Sequence, residues 1–323
     1  MAFNPKKFVA EQTTLVKKIV GARARAIIGV SGGVDSTTAA VLAHRVLGNR
    51  LHAVFVDTGF MREGEAKRTV ALFKELGLRL HVVDAGEEFF SVIKSVTDPE
   101  RKRKIIGEKF VEVFEREAKR VRAEFLLQGT IAPDWIESGS GTKGSRDRIK
   151  THHNVGGLPE KMGLRVVEPL RDLYKDEVRL VARELGIPQN LFERQPFPGP
   201  GLAVRVLGEV TRERVAVCRR ANAIVEEEVE ASAAAGEFAL PWQYFAVLLP
   251  VRSVGVQGDV RAYGETIVVR AVDSTDGMTA QPSRFPPQFL ERLSARLSNE
   301  LKEKINRVVF DCTFKPPGTI EWE

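Results

Sequence analysis

The first residues able to do chemistry stand where an apolar run stops. Ala26 to Val30 lead directly into Ser31, Gly32, Gly33, Val34, Asp35, Ser36 and Thr37. A strand feeding a glycine turn that opens a helix makes an anion site. Glycine has no Cβ, so the backbone can close on a ligand. The helix start adds amides without an intrahelical acceptor and the positive end of its dipole. Ser31, Ser36 and Thr37 bring hydroxyl donors, and Asp35 is suited to hold a magnesium ion or to fix the loop. No Gly-Lys-Ser/Thr follows, so the turn is not a Walker A loop, and no Gly-x-Gly-x-x-Gly marks a dinucleotide site.

Further candidates follow along the chain. Val56-Asp-Thr-Gly59 closes a second apolar run, and by itself reads equally as a turn with glycine in the left-handed region. Asp134 and Glu137, three residues apart, share a face if they lie on a helix. Beside a phosphate site they could hold magnesium or orient a nucleophile. Alone they are acids at a helix start, where the dipole favours them. Lys150-Thr-His-His153 is a cationic cluster in which adjacent histidines cannot face one way, so Lys150 as a phosphate clamp is the stronger reading. The segment Lys315-Pro-Pro-Gly-Thr-Ile-Glu-Trp-Glu323 looks tied down at a site or interface.

These residues need a scaffold, and the first two hundred positions supply one. Strand-like runs at 26–30, 52–57, 79–84 and 124–129 alternate with helical patterns at 36–47, 64–76 and 99–119. Such alternation predicts right-handed βαβ units and a doubly wound parallel sheet, with ligands at the carboxyl ends of its strands. Asn4 and Pro5 read as the start of an earlier helix. Residues 131–163 are long, polar and glycine-rich, which predicts a lid. Gln195-Pro-Phe-Pro-Gly-Pro-Gly201 stops regular structure, and the sequence reading sets a boundary there: 1–201 as an α/β domain, 202–323 as a smaller α+β domain. In the latter, helices at 211–234 and 287–304 accompany strands at 244–249, 266–272 and 306–311. An unusually apolar sheet for that size predicts a dimer surface.

Composition narrows the functional classes. The chain has 323 residues, 43% hydrophobic, with a net charge of +6. The positive balance calls for an anionic partner. Its densest basic run, Arg101-Lys-Arg-Lys104, has Glu100 and Glu108 beside it. A phosphate-rich nucleotide explains the excess as well as RNA does, so no nucleic-acid partner is expected. The two cysteines, Cys218 and Cys312, form neither a metal pattern nor a disulfide framework, consistent with a reducing cytoplasm. No apolar run approaches the ~18 residues of a membrane span, and no membrane partner is expected.

The Ser31–Ser36 turn resembles the pyrophosphate loop of the N-type ATP pyrophosphatases. The chain as a whole is similar to the synthetase part of the GMP synthetase family. The likeness runs through Asp98-Pro-Glu-Arg-Lys-Arg-Lys-Ile-Ile-Gly107, Gln128-Gly-Thr130 with Asp134 and Ile136-Glu-Ser138, and Lys150-Thr-His-His-Asn-Val-Gly-Gly-Leu-Pro159. It continues in Pro196-Phe-Pro-Gly-Pro-Gly-Leu202, Arg252-Ser-Val-Gly-Val-Gln-Gly-Asp259 and the 315–323 segment. The resemblance implies an adenine nucleotide alpha hydrolase-like fold and a two-step ligation: ATP adenylates xanthosine 5′-monophosphate (XMP), then ammonia displaces AMP to give GMP. It implies ATP as co-substrate, Mg2+ near Asp35, pyrophosphate on Ser31–Thr37 and adenine near Val56. Asp134, Glu137 and Lys150 would act at the α-phosphate, and Arg103, Asp259, Lys315, Ile320 and Glu321 would bind XMP. Neither cysteine has the glycine-turn setting of the family's glutaminase, so ammonia would come either from solution or from a separate glutaminase subunit, and the partner subunit is the expected source. A homodimer through the second domain is also expected. A tRNA thiolase would need a reactive cysteine near the loop, and NAD synthetase would leave the 315–323 signature unexplained. A non-catalytic nucleotide sensor would have no need of a charged lid.

Overall fold

The computed structural model describes residues 3–134, 163–192, 194–257, 260–275 and 277–323. Glu137, Lys150, His152, His153 and Asp259 lie outside them, as does most of the 131–163 stretch. The chain forms two compact units. The first comprises Met1–Gly59, Gly64–Gly86 and Gly107–Arg194, and the second Phe60–Glu63, Glu87–Ile106 and Gln195–Glu323.

In the first unit, β1 (Ala26–Gly29), β2 (Leu51–Asp57), β3 (Leu80–Asp84), β4 (Phe125–Leu127) and β5 (Arg165–Val167) form one sheet, ordered β3-β2-β1-β4-β5. Every pairing is parallel, with Ile28 opposite Ala53 on one side and Leu127 on the other. The central strands β1, β2 and β4 are nearly continuous apolar, buried runs, as a sheet covered on both faces requires. Strand order reverses between β1 and β4, and such reversal opens a crevice at the carboxyl ends. The sheet is a doubly wound α/β arrangement, served by α1 (Pro5–Val20), α2 (Val34–Leu47), α3 (Glu65–Glu75) and α6 (Lys175–Glu184). Asn4 caps α1 through Oδ1, which accepts from the Lys7 amide at 3.0 Å, with Pro5 in the first turn. Ala26, Ile28, Leu42, Phe125, Leu127, Val178 and Val181 lie in one buried core.

Helices α4 (Gly86–Ile93) and α5 (Pro99–Val121) start in or near the second unit's share of the early chain. Their residues explain why the division differs from a single cut after Gly201. Phe60 stacks edge-on against Phe89 and Phe90, and its carbonyl accepts from the Leu202 amide at 2.7 Å. Gly201 sits at φ +64, where an added Cβ would meet that carbonyl at 2.4 Å. Only glycine fits there.

The rest of the second unit is α+β. Strand β7 (Val260–Asp273) pairs antiparallel with β6 (Gln243–Gln257) and β8 (Gln281–Pro282), and parallel with β9 (Ile305–Phe310). Helices α7 (Arg212–Ala234) and α8 (Pro287–Glu300) complete it. Buried Asn222 on α7 is fully engaged: Nδ2 donates to the Cys218 and Ala246 carbonyls, and Oδ1 accepts from the Ala246 amide at 3.2 Å. Among the described residues no helix is long and apolar enough to cross a membrane.

Candidate functional site

In the first unit the site begins where β1 ends. Gly32 turns at φ +78, and Gly33 is the N-cap of α2 without any side-chain cap bond. The first-turn amides of Val34, Asp35 and Ser36 are the ones a helix leaves to an outside acceptor. Ser31 and Ser36 brace the turn: their hydroxyls are 3.1 Å apart, and the Gly33 amide donates to Ser31 Oγ at 3.3 Å. The Thr37 hydroxyl is not available as expected from sequence. It is buried and donates to the Gly33 carbonyl at 2.8 Å, so it holds the helix start instead.

The turn is packed from two sides. At the end of β4, Gly129 lies so close to α2 that a Cβ there would meet the backbone of Asp35 and Ser36 at 2.9 Å. At Gly32, a Cβ would meet Glu65 Oε1 at 3.0 Å and Thr69 Oγ1 at 3.1 Å. Buried Glu65 accepts from Arg194 Nη2 at 2.7 Å, and Arg194 Nη1 reaches the Gly32 carbonyl at 3.5 Å. An ion pair thus backs the cradle.

Asp35 Oδ2 accepts from Lys175 Nζ at 2.6 Å. Its other oxygen, Oδ1, is buried with no hydrogen-bond partner among the described residues. An orphaned carboxylate oxygen beside an uncapped helix start fits Mg2+, which takes one or two protein carboxylates and completes its shell with other oxygens. Lys175 escaped the sequence reading. Its signal was present: a lysine in the first turn of a helix opposes the dipole, so something local must favour it there. Glu65 and Arg194 carried no comparable signal.

Asp134 ends the described part of its segment. Its Oδ2 accepts from the Ile131 amide at 2.9 Å, the reach-back bond of a capping box. The helix-start role is thus what this oxygen performs here. Val56 lies within β2, opposite Val83, with its side chain buried. Any adenine contact there would come through the backbone.

The second unit holds the remaining candidates. Glu321 accepts from Arg205 through both oxygens, at 2.7 and 3.0 Å, and from Gln243 Nε2 at 2.9 Å. Ile320 is buried in a core with Phe245 and Val268. Lys315 Nζ donates to the Gly277 carbonyl at 2.7 Å. Arg103 donates to the Glu323 carbonyl, and fully buried Lys102 binds the Glu323 carboxylate and the Val206 carbonyl. Burial pushes the Lys102 ammonium below, and the Glu323 carboxyl above, their ordinary values, against their mutual attraction. Arg270, also fully buried, donates to the Thr313 and Thr319 carbonyls at 2.6 and 3.1 Å. Arg205 and Arg270 were not anticipated. Each sits inside an apolar run, Leu202–Val206 and Ile267–Val272, where a charge must find a partner.

Two family profiles match successive parts of the chain. The family profile described as "NAD synthase" matches residues 8–131, and that described as "GMP synthase C terminal domain" matches residues 229–322. A subunit of glutamine-hydrolyzing GMP synthase from Thermococcus kodakarensis is 59% identical over 317 residues, 98% of this chain and 99% of the relative. The same subunit from Methanopyrus kandleri is 59% identical over 322 residues, covering 99% of this chain and all of the relative. The glutamine-hydrolyzing GMP synthase of Aeropyrum pernix is longer: 53% identity covers 99% of this chain but 61% of that protein.

Proposed function

This chain belongs to the glutamine-hydrolysing GMP synthase family, and on that premise we propose that it is the synthetase that converts XMP to GMP at the expense of ATP. The xanthine O2 attacks the α-phosphorus of ATP, and pyrophosphate leaves. Ammonia then adds at the activated C2, and AMP leaves with the former O2. Adenylation is needed because the bare oxygen is a poor leaving group.

The observation that carries this reading is the uncapped α2 start behind Gly32 and Gly33, at the strand-order reversal between β1 and β4. Its amides would hold the departing pyrophosphate, and Lys175 would offset the charge that develops on it. Asp35 would hold Mg2+, which supplies further charge neutralisation when bound. Asp134, Glu137 and Lys150 would orient and neutralise the α-phosphate, with residues 131–163 as lid. Arg103, Asp259, Lys315, Ile320 and Glu321 would bind XMP, cations meeting phosphate and carboxylates meeting donors on base or ribose. The first unit would take ATP, and the second, which includes Arg103, would take XMP.

The full-length relatives are each named as one subunit of their enzyme, which points to a separate partner subunit, and we assign that partner the glutaminase role that supplies ammonia. The second domain would pair two copies. Exposed Val251, Val254, Val256, Val260 and Tyr263 on the β6–β7 hairpin support an apolar contact there. The cytoplasm is the expected site of action.

Incubation with MgATP, XMP and ammonium tests the reading. AMP, pyrophosphate and GMP should appear in equal amounts. ADP as product, or nucleotide recovered unchanged, would refute it.

A further inference from the structure

Arg205 is fully buried, and each of its three guanidinium nitrogens donates a hydrogen bond. Nε and Nη2 bind the two oxygens of Glu321 at 3.0 and 2.7 Å. Nη1 binds Asn222 Oδ1 at 3.0 Å, and the group lies 4.0 Å from the centre of the Phe245 ring. Asn222 is itself fixed by the Cys218 and Ala246 carbonyls. In dry surroundings such a chain of bonds cannot rotate without leaving a polar group unpaired.

The 311–323 segment has other fastenings besides this pair. Arg270 already fastens Thr313 and Thr319, and Lys102 and Arg103 fasten Glu323. What the fork on Glu321 adds is direction. Together with Gln243, it occupies the inner side of the carboxylate, whose side chain remains 19% exposed. A carboxylate is an acceptor only, so an outward oxygen lobe can read an N–H or O–H group.

We propose that Arg205 is a positioning residue: without touching the nucleotide, it aims the Glu321 carboxylate so that it accepts a hydrogen bond from XMP. This rests on the functional reading above and says how that reading's nucleotide site is held. A lysine could keep the charge but not the two-point fork.

Calorimetric titration of XMP into the wild type, Arg205→Lys, Glu321→Gln and the double variant tests it, with thermal melts and the KM for ATP alongside. Folded Arg205→Lys should bind XMP about tenfold more weakly, with the KM for ATP changed by less than about twofold. The double variant should bind no more weakly than Glu321→Gln, because one residue acts through the other. A merely anchoring role lowers the melting midpoint and the competent fraction, while competent molecules bind XMP normally. Wild-type affinity in folded Arg205→Lys, or additive losses, would overturn the proposal. If Arg205→Lys fails to melt cooperatively, Asn222→Ser decides, since it removes the acceptor that fixes the guanidinium and leaves Glu321 and Gln243 in place. Weaker XMP binding there supports the proposal and unchanged binding overturns it. A wild type that does not bind XMP overturns the functional reading, and the proposal with it.

Discussion

Lys175 Nζ stands 2.6 Å from Asp35 Oδ2, although 140 residues separate the two in sequence. Both side chains are substantially open to solvent, at 45% and 28%. An ion pair of that kind contributes less than about 1 kcal/mol to folding. Its significance lies in where it stands, at the mouth of the α2 cradle. Lys175→Ala should therefore leave the urea midpoint almost unchanged while lowering kcat/KM for ATP at least about tenfold. Pyrophosphate release measured beside a denaturation curve separates the two effects. A variant with normal turnover would remove Lys175 from the chemistry.

Gly129→Ala should do what its packing dictates. The new methyl would press on the Asp35 carbonyl carbon and the Ser36 amide nitrogen, backbone atoms that cannot swing away. The expected cost is about 1–3 kcal/mol, with weaker ATP binding as the amides shift. Gly107→Ala is the control. Nothing lies within 4 Å of its Cβ, and it sits inside α5, so stability should rise by about 0.5–1 kcal/mol. Chemical denaturation of both variants reads the sign directly.

The two thiols should react very unequally. Cys218 is fully buried, and burial pushes its thiol up to about 12, while Cys312 is exposed. The thiolate is the nucleophile, so a maleimide should modify one site in the native protein and two after unfolding. Peptide mass mapping should place the native label on Cys312.

Stability should fall on mild acidification partly through His52. Burial, then the charges of Arg25 and Arg120, lower its affinity for a proton in the folded state below the ordinary 6.5. Between 6.5 and the folded value the unfolded chain takes up more protons, so it gains relative to the native state. The contribution is complete above pH 6.5 and is lost as pH falls through the folded value. His52→Gln should flatten the pH dependence of the denaturation midpoint below 6.5. An identical slope in both proteins would exclude His52 as a source.

Much of the framework was legible because it rests on local patterns. The β1–β4 strands announce themselves as short apolar runs, and α2, α3 and α5 fall within two residues or so of their expected spans. Strand β5 was not, because Arg165 and Val166 are exposed and its three residues carry no alternation. The β6–β7 hairpin was read too short for a different reason. Its outer half contains Arg252, Ser253, Gly255, Arg261 and Gly264, which look like turn material. There the pairing is held from outside: Asn306 Nδ2 donates to the Ser253 and Ala262 carbonyls, and Gly255 and Gly264 are the residues that leave it room. Helix α8 ends at Glu300, not at 304, because Leu301 closes it and Glu303 turns at φ +72. The glycine turn at Gly32 and Gly33 and the α2 start could be read from spacing, whereas the partners that Lys175, Glu65, Arg194 and Arg205 find there are set by the tertiary fold.

Phe60, Phe89 and Lys102 are made early but belong to the later unit. During synthesis they therefore emerge well before Leu202, whose amide binds the Phe60 carbonyl, and Glu323, whose carboxylate neutralises Lys102. A nascent chain stopped at residue 194 carries a Phe60 carbonyl without its Leu202 amide and a Lys102 ammonium lacking its carboxylate. Premature termination or a cut near that point should yield a sticky, chaperone-bound product, not an independent ATP-binding half.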